Sequence, residues 1–260
     1  MRAALQGRRV LVTRAASQSD ALCSRLLAEG AVPVAIPVME LQEVLDNSGR
    51  AALRVQLQQG AFDDVVFTSA NAVELLLAEA PTPQGSVRAF AIGPGTAQVL
   101  RTAGWSVELA PNAYIAEALA ERISTAGVVG RRLLLPRARG AREVLPKMLR
   151  EVGASVMEVE LYEMKPALKS AGPLRAELES GTLDCVTFTS GSAVRCFVAL
   201  APAASLPPHC IVACIGPITA AELSKVGMAP GVVAATHSME GLVDAMAAAV
   251  ASLPENGAQP

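Results

Sequence analysis

Two short stretches carry hydroxyl groups where a strand should hand over to a helix. Residues 65–76 read Val-Val-Phe-Thr-Ser-Ala-Asn-Ala-Val-Glu-Leu-Leu, and residues 186–197 read Val-Thr-Phe-Thr-Ser-Gly-Ser-Ala-Val-Arg-Cys-Phe. Each is an apolar, β-rich run, then Thr-Ser, then an amphipathic helical pattern, with hydroxyl residues where the N-cap belongs. Such a helix start presents free backbone N–H groups and the positive end of a dipole, so it attracts anions without a charged side chain. Ser69 and Asn71 in the first stretch, and Thr189, Ser190 and Ser192 in the second, are therefore candidate contacts for an anionic ligand. The turns Ile92-Gly93-Pro94-Gly95-Thr96-Ala97 and Ile215-Gly216-Pro217-Ile218-Thr219-Ala220 add Gly93, Gly216 and Thr219 to the set. All four turns fall at C-terminal ends of strands, where open α/β sheets bind ligands. Any one of them is equally an ordinary N-cap; the four together favour binding.

Arg14 and Arg137 stand at equivalent strand ends, and Arg139, Gly140 and Arg142 extend the second of these. Arginines on a glycine-bearing turn can grip carboxylates in bidentate fashion. For any single arginine, Arg142 above all, a solvated basic loop is the competing reading. Tyr162 closes the run Val156-Met157-Glu158-Val159-Glu160-Leu161-Tyr162. Positions 157, 159 and 161 are apolar and 158, 160 and 162 are not, so a period of two puts Tyr162 on the polar face of its strand. Packing in a core does not explain a tyrosine there, although a surface tyrosine remains the bland alternative.

Other chemistries find little support. His209, Cys210 and Cys214 lack the further clustered ligands of a zinc site, and the two cysteines share one face of an apolar strand, so core thiols are expected and no metal. The two histidines, His209 and His237, neighbour no nucleophile motif, which argues against Ser-His-Asp hydrolysis. Neither G-x-G-x-x-G after the first strand nor G-x-x-x-x-G-K-[ST] occurs, which disfavours dinucleotide and P-loop chemistry.

The chain has 260 residues, 52% hydrophobic and 18% charged, which suits a well-buried α/β protein and not a disordered one. Aromatics make up 3%, too few for base-stacking platforms, and a net charge of −2 supplies no field to recruit nucleic acid. No apolar run reaches the roughly 18 residues of a membrane span, and the N-terminus has no signal-peptide pattern. With five scattered cysteines, the expectation is reduced thiols, a cytoplasmic location and a monomer.

The elements that must position these residues alternate. The patterning predicts strands near 10–13, 65–68, 87–92, 132–135, 155–163, 184–189 and 210–215. Between them it predicts helices near 20–30, 50–59, 70–79, 96–103, 141–152, 192–200 and 218–226, a linker over 166–173, then a helix over 174–179. Pro33 and Pro37 mark an extended segment unsuited to the middle of a sheet. Short-looped β/α alternation predicts parallel, doubly wound sheets. The chain also repeats itself: Arg8-Arg9-Val10-Leu11-Val12 matches Arg131-Arg132-Leu133-Leu134-Leu135, Phe67-Thr68-Ser69 matches Phe188-Thr189-Ser190, and Ala91-Ile92-Gly93-Pro94 matches Cys214-Ile215-Gly216-Pro217. The spacing stays constant to within two residues, which implies a duplicated half and two similar lobes with a cleft between them.

In their order along the chain, these motifs resemble the uroporphyrinogen-III synthase family. The resembling elements are Leu11-Val12-Thr13-Arg14, Phe67-Thr68-Ser69 with Ala72-Val73, Ala91-Ile92-Gly93, Leu134-Leu135-Pro136-Arg137 with Gly140 and Arg142-Glu143, Glu160-Leu161-Tyr162, Phe188-Thr189-Ser190-Gly191-Ser192, and Ile215-Gly216-Pro217 with Thr219-Ala220. Pro136 before Arg137 and Ile218 in place of a hydroxyl residue depart from the family's pattern. The resemblance implies two doubly wound, parallel-sheet α/β domains of the flavodoxin-like kind, joined by two extended crossing segments near 37–41 and 165–169. The lobes are then not the repeats: residues 1–37 with 168–260 form one domain, 40–165 the other, and 254–260 a disordered tail. It also implies cyclisation of the linear polycarboxylate hydroxymethylbilane, with inversion of the last pyrrole ring, loss of water and no cofactor. Tyr162 is the expected general acid, because a phenol is protonated at neutral pH. A non-catalytic, two-lobed binder of small anions is the alternative.

Overall fold

The computed structural model describes residues 4–15, 19–77, 87–109, 116–201 and 206–252. The tail expected at 254–260 lies outside the described residues. In chain order the strands are β1 (Arg9–Val12), β2 (Val32–Ala35), β3 (Met39–Glu43), β4 (Asp64–Phe67), β5 (Arg88–Ala91), β6 (Val107–Leu109), β7 (Arg132–Ala138), β8 (Ser155–Pro166), β9 (Cys185–Phe188), β10 (Ile211–Cys214) and β11 (Val232–Val233). The helices are α1 (Asp20–Ala28), α2 (Asn47–Gln58), α3 (Ala70–Leu77), α4 (Pro94–Thr102), α5 (Ala116–Thr125), α6 (Val144–Glu151), α7 (Ala171–Glu179), α8 (Gly191–Leu200), α9 (Pro217–Lys225) and α10 (Met239–Ala251).

The described residues form two compact units, one drawn from Met1–Glu40 and Met164–Pro260 and the other from Leu41–Glu163. The first holds a sheet of order β11-β10-β9-β1-β2, and the second sheet runs β3-β8-β7-β4-β5-β6. All pairings of β1 with β2 and β9, of β10 with β9 and β11, of β4 with β5 and β7, and of β7 with β8 are parallel. In the first unit, alternate residues of a strand serve opposite layers. Leu11 packs with Leu174, Leu178, Val194 and Phe197 on one face, and Val10 and Val12 pack with Leu22, Leu26, Leu242 and Met246 on the other. Sheets buried on both faces are what continuous runs such as Arg9-Val10-Leu11-Val12 require. In the second unit Val66, Phe90, Leu133 and Leu135 pack beneath α5 and α6.

Each sheet mixes the two repeats, which overturns the simple reading of one lobe per repeat. β9, the counterpart of β4, lies between β10 and β1; β4 lies between β5 and β7, the counterpart of β1. The same side chain seals both junctions: Asp63 accepts the Arg132 N–H at 2.8 Å, and Asp184 accepts the Arg9 N–H at 2.8 Å. Pro33 lies in β2, an edge strand, where its missing N–H removes no ladder bond. The linker expected over 166–173 is instead a 3₁₀ turn at Leu168–Ser170 followed by α7, which begins at Ala171. Pro173 fits there because N–H groups of a first helical turn have no intrahelical partner to lose.

Candidate functional site

In the second unit three of the expected residues meet at the start of α3. The Ser69 Oγ accepts the Ala72 N–H at 3.2 Å, which caps the helix, and lies 2.8 Å from the Tyr162 hydroxyl. Asn71 stands in the first turn of the same helix. Tyr162 is only 4% exposed, and burial raises its pKa above the ordinary tyrosine value, while the Ser69 hydroxyl and the Asn71 side chain pull it back down. The phenol is therefore fully protonated at neutral pH.

The expected polar-face position of Tyr162 needs correction. β7 and β8 pair in register up to Arg137 with Glu160, and the next pair is Ala138 with Tyr162, so Leu161 is an extra residue in β8. Such a bulge re-aims the side chains that follow it. Tyr162 therefore shares the face of Ala138, opposite to that of Glu160 and Arg137, and is buried there. Upstream, Met157 of the expected apolar set is 46% exposed.

The arginine turn follows directly. The Tyr162 carbonyl accepts the Arg139 N–H at 2.7 Å, and Ala141 N–H closes the turn on the Ala138 carbonyl at 3.2 Å. Gly140 sits at φ +69°, a left-handed conformation that favours glycine. Arg137 is buried at 5% exposure and spent inside the protein: it bonds Glu158, the carbonyl of Ala141 and, at 3.1 Å, that of Arg142, and pairs with Glu143 at 2.9 Å. It braces the turn, and its expected grip on a ligand carboxylate is withdrawn. Arg139 pairs with Glu160 at 2.7 Å with half its side chain exposed, and Arg142 is exposed, 4.0 Å from Glu117. Gly93 takes the N-cap position of α4 with Pro94 as first helical residue.

The first unit repeats the arrangement without a tyrosine. Ser190 Oγ accepts the Ala193 N–H at 3.2 Å at the head of α8, and Thr189 beside it is half-buried. Ser192 receives a hydrogen bond from Arg195 at 3.3 Å. Gly216 caps α9 in an extended conformation with Pro217 next, and Thr219 is buried at 4% exposure. Arg14 points its Nη1 to the Met239 sulfur at the start of α10, 3.5 Å away, and burial lowers its pKa.

Some participants escaped the sequence reading. A Cβ on Gly216 would lie 3.0 Å from the His237 ring, so that imidazole lies against the cap of α9. Glu158 and Glu160, cross-strand from Arg137 and Arg139, take up much of the arginines' charge. Their alternation along β8 opposite a basic strand end was the available signal. Among the described residues, no group of three or more His, Cys, Asp or Glu is arranged to hold a metal ion.

Mainly parallel sheets with helix starts at their strand ends, and a buried hydroxyl cluster at one of them, define a two-unit, doubly wound α/β protein. The sequence profile of the family described as uroporphyrinogen-III synthase HemD matches residues 20–244. The uroporphyrinogen-III synthase of Synechococcus elongatus is 32% identical over 75% of both chains. A putative uroporphyrinogen-III synthase of Methanothermobacter thermautotrophicus is 30% identical over 94% of this chain and 98% of its own. The Thermus thermophilus uroporphyrinogen III synthase structure, a mutant form, superposes with a TM-score of 0.61 at 18% identity, covering 95% of this chain and all of the other. At that identity the likeness concerns the fold. The chain belongs to the uroporphyrinogen-III synthase family.

Proposed function

We propose that the protein closes hydroxymethylbilane to uroporphyrinogen III, inverting the last pyrrole ring and releasing water, with Tyr162 as general acid and no cofactor. Family membership across most of the chain supports the reaction. The observation that carries the site is the Tyr162 hydroxyl held against Ser69 at the head of α3. Departure of the substrate's hydroxyl needs a proton, and a buried neutral phenol can supply one.

The substrate bears an acetate and a propionate on each pyrrole. We assign carboxylate-binding roles to the helix starts at Ser69 and Asn71, Gly93, Thr189 with Ser190 and Ser192, and Gly216 with Thr219. Arg14, Arg139, Gly140 and Arg142 complete the set. Each exposed helix-end contact is worth only about 0.3–1 kcal/mol, so several must add. The working form is a cytoplasmic monomer whose domains are residues 1–37 with 168–260 and 40–165. A non-catalytic anion binder would have no use for the buried phenol–serine pair. Incubation with hydroxymethylbilane tests the reading: excess type III isomer supports it, and only the uncatalysed type I isomer refutes it.

A further inference from the structure

The two capping serines are equivalent by the repeat and unequal in their surroundings. Ser69 and Ser190 each accept the N–H three residues on at 3.2 Å. Among the described residues, Ser69 and not Ser190 also touches a phenol, at 2.8 Å. With the Ala72 N–H occupying one lone pair, Ser69 keeps one O–H and one lone pair for Tyr162. If Tyr162 donated its proton to that lone pair, the phenol would have none to give. If Ser69 donates instead, the tyrosine O–H is released for another acceptor.

We propose that Ser69 is a positioning residue that donates to the Tyr162 oxygen, frees its proton for the substrate and holds the phenolate that results. This rests on Tyr162 being the acid. In the step, the carbon–oxygen bond of the hydroxymethyl group breaks and its electron pair leaves with the oxygen. The Tyr162 proton joins that oxygen to make water, and the pyrrole carries the positive charge. The phenolate stays against Ser69 until the proton shed by the pyrrole carbon on ring closure restores the phenol. A hydrogen bond to a developing charge is stronger than one to a neutral group, so the serine matters more in the transition state than in the resting enzyme.

The test is a double-mutant cycle on kcat with the full-length protein: parent, Ser69→Ala, Tyr162→Phe and the double variant, beside Ser190→Ala in both backgrounds. Ser69→Ala should lower kcat by about 10- to 100-fold, as for loss of a hydrogen bond to a charged group, with KM changed much less. In the Tyr162→Phe background the same change should alter kcat by less than about twofold, because its partner oxygen is gone. Ser190→Ala should act by one factor in both backgrounds, and Ser69→Thr, which restores a hydroxyl, should recover most of the rate. If Ser69→Ala lowers kcat equally in both backgrounds, Ser69 is only a cap and the proposal is wrong. If Tyr162→Phe itself turns over at the parent rate, the acid assignment fails first, a different and separately visible outcome. Should Ser69→Ala not fold, Ser69→Gly replaces it, since glycine keeps most of the capping stability and has no hydroxyl.

Discussion

Replacing Asp64 by Asn should destabilise the second unit by about 2–4 kcal/mol while keeping the side-chain volume. Asp64 is fully buried at the start of β4 and receives four hydrogen bonds from two guanidiniums: Arg88 at 2.6 and 2.9 Å, and Arg131 at 2.8 and 2.9 Å. Removing one partner of a fully buried ion pair costs about 3–5 kcal/mol. Here the arginine side chains are 26% and 32% exposed and can turn partly to water, which places the cost lower. For a unit of this size each kcal/mol moves the midpoint by about 3–5 °C, so a fall of roughly 6–20 °C is expected by calorimetry. Burial alone would raise the Asp64 pKa, but the bonds from Arg88 and Arg131 outweigh it and hold it below the ordinary value. A depressed folded-state pKa contributes stability that is present at neutral pH and lost as pH falls through it. The gap between parent and Asp64→Asn should therefore narrow below about pH 4, where the unfolded carboxyl also binds its proton. A midpoint within 2 °C of the parent at pH 7, or a gap that widens in acid, would refute the reasoning.

Two further outcomes follow from the packing. A Cβ on Gly241 would lie 2.2 Å from the Thr236 carbonyl oxygen, so Gly241→Ala should cost about 1–3 kcal/mol, read as a lowered denaturant midpoint. Burial pushes the thiols of Cys185 and Cys210 up to about 12 and that of Cys214 up to about 11, so these three should resist iodoacetamide at pH 8 in the folded protein and react once it is unfolded, as peptide mapping would show.

The fold class was legible because the strands are short apolar runs buried on both faces and punctuated by helix-cap signals. Some boundaries were less so: α4 begins at Pro94 and not at 96, although proline at the first helical position was itself a start signal. Pro173 misled in the opposite sense, since it reads as a break yet sits in the first turn of α7. The capping geometry of Ser69 and Ser190 could be read directly, because a hydroxyl before a helical pattern has one local use. Tyr162 could not be placed correctly, because a bulge at Leu161 is set by pairing between β7 and β8 and leaves no local signature. For the same reason Arg137 looked free: the groups that consume it, Glu158 and two backbone carbonyls, are brought to it only by the sheet and the turn.

The most direct measurement of the central claim is isomer-resolved product analysis of Tyr162→Phe beside the parent protein, with hydroxymethylbilane as substrate. Tyr162→Phe should lower kcat by about a hundredfold, the low end of the roughly 10²–10⁴ that positioned acids supply, with an unchanged thermal midpoint and residual product that is still type III. A parent-like rate, or a slow enzyme that makes only type I, would contradict it.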